Sequence, residues 1–157
     1  MLYGIVKALH VLAVVLWVGG MVFAHCFLRP ALAGQDAPQR LTLMRDVLRR
    51  FLGAVLPAVL FLLLSGAWML FSTARTVAAT GGVMIVPGSW HLMAGLGIVM
   101  SVIYAYIRYA LYPRLNGAVQ AQDWPAAARA LTGIRHGVTT NIVLGAIIIV
   151  AVFAWRG

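Results

Sequence analysis

Four stretches of about 20 apolar residues, almost free of charge, decide what this chain can fold into. They cover residues 3–28, 51–71, 90–111 and 134–155. Each is long enough to cross a hydrocarbon layer of roughly 30 Å as a helix. A helix satisfies its own backbone hydrogen bonds where no water can do so. The expected architecture is all-α: a polytopic integral membrane four-helix bundle, forming a single transmembrane domain over residues 1–157. Composition agrees, since only 10% of residues are charged against about 25% in a soluble domain. Pro57 falls inside the second run and is expected to kink it, which packed membrane helices tolerate. The first run exceeds the roughly 7–15 residues of a signal-peptide core and has no basic segment before it, so it is expected to remain as a helix.

Charge then orients the bundle. Twelve Lys and Arg face three Asp, a formal net charge of +9. In a soluble protein such an excess points to nucleic acid. Here the cations cluster at the ends of apolar runs, where they set topology and meet anionic lipid, so no nucleic-acid partner is expected. Nine of them (Arg29, Arg40, Arg45, Arg49, Arg50, Arg108, Arg114, Arg129 and Arg135) fall on one side, and Lys7, Arg75 and Arg156 on the other. The positive-inside bias places both termini outward, which is the periplasm for a multi-pass protein of a bacterial inner membrane.

The basic loops carry patterns of their own. Residues 37–50 put Leu41, Met44, Val47 and Leu48, with Phe51 just beyond, on one stripe, as an interfacial amphipathic helix would. Asp123 before Trp124 and Pro125 reads as the N-cap of a short Ala-rich helix. Tyr104, Tyr106, Tyr109 and Tyr112 suggest an aromatic belt near the inner surface. Cys26 is the one cysteine, which excludes a disulfide framework and any CxxC metal or haem-attachment motif.

The four histidines are the most informative residues, because ionisable groups in membrane segments are costly. Alternating helix direction sorts them by depth into an outer pair, His10 with His91, and an inner pair, His25 with His136. Two neutral imidazoles from different helices at one depth are a usual way to hold b-type haem. The outer pair is therefore expected to ligate haem iron, with His25 and His136 as a second site. Gly95, one turn after His91, would allow close backbone approach, and Lys7, one turn outward from His10, would meet a haem propionate. The bland alternatives are an interhelical hydrogen bond for His10 and interfacial placement for His25 and His136. Asn141 lies deep enough in the fourth run to need a partner, either another helix or a cofactor.

Copper competes with haem. Thioether, thiol and imidazole groups favour Cu(I); Met21 and His25 lie one turn apart with Cys26 adjacent, and Met93 and Met100 two turns apart on the third run. Methionines more often simply pack, however. No Ser-His-Asp triad, phosphate-binding loop or carboxylate pair is present, and no apolar run holds a carboxylate for a proton relay.

These residues carry a family resemblance. The stretch from Lys7-Ala8-Leu9-His10 through Trp17-Val18-Gly19-Gly20 to Leu28-Arg29-Pro30 resembles the first helix of CopD-like and HemJ-like membrane proteins. Trp90-His91-Leu92-Met93 resembles the start of their histidine-bearing third helix, and Ile134-Arg135 through Asn141 to Gly145 their last. The resemblance implies a small four-helix bundle with His10 and His91 as haem ligands and Trp17 and Asn141 near the site. It implies one of three functions: membrane redox chemistry on b-type haem, copper uptake or resistance without haem, or protoporphyrinogen oxidation. HemJ-like proteins usually carry Lys two residues after the third-helix histidine, where this chain has Met93. The expected partners are membrane lipid and a quinone or periplasmic redox protein, with self-association left open.

Overall fold

A computed structural model describes residues 1–83 and 87–154, arranged in four long helices. Helix α1 spans Leu2–Ala31, α2 Ala37–Ala79, α3 Gly88–Gln120 and α4 Trp124–Ala154. All four are long and apolar enough to cross a membrane, so this is a multi-pass membrane protein. Trp155, at the end of the fourth run, and the cation Arg156 lie outside the described residues. Sequence neighbours pack side by side, α1 on α2, α2 on α3 and α3 on α4, and α4 returns against α1. Short connections force neighbouring helices to run antiparallel.

The helices outrun the expected spans. Helix α2 has 43 residues, about 65 Å at 1.5 Å per residue. It merges the amphipathic segment at residues 37–50 with the second span, because nothing between Arg50 and Leu52 breaks a helix. Pro57 sits within it. The amphipathic stripe faces inward as its spacing predicts, with Leu41, Met44 and Leu48 buried. What covers it is protein rather than the lipid interface: Leu41, Leu48 and Leu52 join Leu115, Val119 and Ile134 in one core. The short helix expected after Asp123 is likewise the first turns of α4. Asp123 does cap it, its Oδ1 accepting from the Ala126 N–H at 2.9 Å, as Asp36 caps α2 by accepting from Gln39 N–H.

Three wide π-helical turns interrupt the α geometry, Val15–Gly19 and Ala24–Leu28 in α1 and Ile107–Leu111 in α3. Such turns recur at functional sites, and the first contains the buried Trp17.

The aromatic belt is only partial. Tyr106 and Tyr109 are exposed, but Tyr104 is buried and donates its hydroxyl to the Leu52 carbonyl at 2.6 Å. That carbonyl neighbours the one on Gly53, which loses its helical donor because Pro57 has no N–H. The edge of the Tyr104–Trp17 pair, ring centroids 6.1 Å apart, ties α3 to α1 as well. Tyr104→Phe is expected to cost about 0.6 kcal/mol, the average for interhelical side-chain bonds in membranes, and no more than ~1.7. A thermal melt in detergent measures it, and an unchanged midpoint would show the bond to be neutral.

Candidate functional site

The antiparallel order brings the start of α1, the second half of α2, the start of α3 and the end of α4 to one end of the bundle. Between them lies a cavity of about 380 Å³, lined by residues of all four helices. Helix α1 contributes His10 and Trp17, and α2 contributes Leu62 and Gly66. Helix α3 presents Met93, Gly97, Met100 and Ser101, a stripe at helical spacing, with His91 beside it. Helix α4 closes the wall with Gly145 and Ile148. No carboxylate lines the cavity.

The two outer-pair histidines therefore share one cavity, in different surroundings. His10 is half-buried and its Nδ1 lies 2.7 Å from Ser65 Oγ. His91 is exposed while lining the cavity. Trp17 and Met100 are buried at the floor, with Tyr104 edge-on behind Trp17. Two glycines make room. A Cβ on Gly66 would stand 3.7 Å from His10 Cε1, and a Cβ on Gly97 would meet nothing within 4 Å. Gly145 has a different task, since its Cβ would lie 3.1 Å from Val18 Cγ2 where α4 closes on α1.

The other sequence candidates divide. Trp17 lines the cavity. Asn141 does not, but it is 1% exposed and its Nδ2 donates to the carbonyl of Met100, which does. Its Oδ1 is buried without a partner. Lys7 and Gly95 are exposed and outside the lining. At the opposite end His25 is half-buried and His136 exposed. Met21 turns into the core while Cys26 faces out, so Met21, His25 and Cys26 do not share a face. Among the described residues no cluster of three or more His, Cys, Asp or Glu could hold a metal.

Sequence reasoning missed Ser65, and with it the whole contribution of α2. The available signal was a lone hydroxyl and a glycine, Ser65-Gly66, closing the apolar run Phe61-Leu62-Leu63-Leu64.

Comparison with known families bears on what such a bundle does. The family model of copper resistance protein D, CopD, matches residues 45–155. The chain belongs to the CopD family. The match takes in most of α2 and all of α3 and α4, so Ser65, His91, Met93, Met100 and Asn141 lie within the CopD region. His10 and Trp17, on α1, precede it. No curated protein and no solved structure matches the chain.

Proposed function

We propose that this CopD-family protein handles copper within the membrane and that the cavity between His10 and His91 is where it binds the ion. The observation that carries this reading is the donor set: two imidazoles, from α1 and α3, and two thioethers, Met93 and Met100, line the same cavity. Imidazole and thioether donors without carboxylate suit Cu(I) better than harder ions. The walls between these donors are apolar. Copper is the cargo here, and the buried Trp17 and Met100 make the cavity a binding site closed at its floor. The nine-to-three distribution of cations supports a mouth on the outer face, toward the periplasm of a bacterial inner membrane.

A second reading rests on size. About 380 Å³ falls within the ~300–1,000 Å³ of organic-ligand pockets and exceeds what a bare ion needs. The same His10 and His91 would then hold b-type haem, with Gly66 and Gly97 leaving space beside it. Haem would supply one-electron chemistry at its iron.

One purified, detergent-solubilised sample separates the two. Stoichiometric copper without a Soret band supports the first reading, and a Soret band with stoichiometric iron supports the second. Neither metal, after growth with ample copper and haem, overturns both.

Gly97→Leu gives an independent check. The new side chain would point into open cavity rather than into a neighbouring helix, and Leu is the better helix former by several tenths of a kcal/mol. The expected result is an unchanged or raised melting temperature with ligand content reduced more than about tenfold. Full ligand content in a folded variant would place the site elsewhere.

A further inference from the structure

We infer that Ser65 fixes the tautomer of His10, holding its proton on Nδ1 and leaving Nε2 as the nitrogen that meets a ligand in the cavity. The case is proton counting. Ser65 Oγ lies 2.5 Å from the Phe61 carbonyl, 3.3 Å from the Leu62 carbonyl and 2.7 Å from His10 Nδ1. A serine hydroxyl has one proton and accepts through its lone pairs. Carbonyl oxygens only accept, so two oxygens at 2.5 Å require that proton between them. Ser65 thus donates to Phe61, the usual back-bond of a helical serine to the carbonyl four residues before it. Its lone pair is what faces His10, and the Nδ1 must arrive protonated. Ser65 is 4% exposed, so water does not compete for its hydroxyl.

The neutral imidazole then has one free lone pair, on Nε2. Ring nitrogens that bind metals are commonly set this way, by a partner on the other nitrogen that fixes tautomer and orientation. Ser65 is therefore a positioning residue, acting on the ligand through His10. It also explains why α2, which brings no donor of its own to the cavity, packs its Ser65-Gly66 step against His10. The metal-binding consequence rests on the function proposed above, whereas the tautomer does not.

Nitrogen-15 NMR of the metal-free full chain, labelled at histidine in detergent, reads the tautomer directly. The pH is set about two units above the ordinary imidazole value of ~6.5, so that His10 is neutral. The His10 signals are identified by their loss in His10→Ala. A protonated Nδ1 and a bare Nε2 are expected, with that preference lost in Ser65→Ala and kept in Ser65→Thr, which retains the hydroxyl. A His10 protonated on Nε2 in the wild-type chain overturns the inference even if Ser65→Ala fails to fold.

Titration with Cu(I) against a competing chelator, or with haem if the sample proves to be a haem protein, reads the consequence. Ser65→Ala should lose about 10–100-fold in affinity, the usual cost of removing such a partner, and Ser65→Thr should recover most of it. Unchanged affinity together with an unchanged tautomer in Ser65→Ala overturns the inference. A protonated Nδ1 in a chain that binds neither copper nor haem would instead uphold it and sink the proposed function.

Discussion

His10→Ala is expected to empty the cavity of its ligand, and His91→Ala to do the same. Both imidazoles line that cavity, one from α1 and one from α3. Removing the partner of a ligating histidine costs about 10–100-fold in affinity, so deleting the histidine itself should cost more than about 100-fold. The chain should still fold. His10 is half-buried, and Ser65 keeps its bond to the Phe61 carbonyl when the ring is gone. Metal analysis and the visible spectrum of the purified variants give the result. His25→Ala, His136→Ala and Cys26→Ser are the controls, because these residues lie outside the cavity lining. Full ligand content in His10→Ala, or loss in the controls alone, would move the site to the other end of the bundle.

Leu115→Ala should be the most damaging of the conservative core changes. Leu115 is 0% exposed and belongs to the core with Leu41, Leu48, Val119, Ala127 and Ile134. These side chains come from α2, α3 and α4, so a cavity here loosens three helices at once. Leu→Ala truncations in such positions cost about 2–5 kcal/mol. Leu64→Ala, on a side chain 72% exposed on the outside of the bundle, is the matched control and should cost little. Thermal unfolding monitored by aggregation or by helical signal compares them. Equal midpoints would show that the core at this end of the bundle contributes nothing special.

The spans were legible because long apolar runs leave a membrane chain few choices. Their ends were not, since hydropathy stops where charge begins while the helical backbone of α2 runs through Arg49 and Arg50 without interruption. Depth, too, was legible: alternating direction put His10 and His91 at one end, and they share a cavity. Depth alone does not supply angle. Gly97 lines the cavity and Gly95 does not, because two residues are about 200° around a helix. Lys7 precedes His10 by nearly a turn, yet falls outside the lining. Tyr104 was grouped with its neighbouring tyrosines by composition, and its real partners, Leu52 and Trp17, are distant in sequence. Ser65 was invisible for the same reason, its partner being 55 residues away.

Helix α2 is also a lever arm. Met44, seated in the apolar contacts at one end, and Ser65, bonded to His10 at the other, lie on the same unbroken rod about 32 Å apart. A tilt of only ~5° about the seated end would swing Ser65 by ~3 Å, comparable with the whole length of its hydrogen bond. Any such tilt of the basic, amphipathic segment would reach the Ser65–His10 bond through a continuous helix in which Pro57 lies between the two ends.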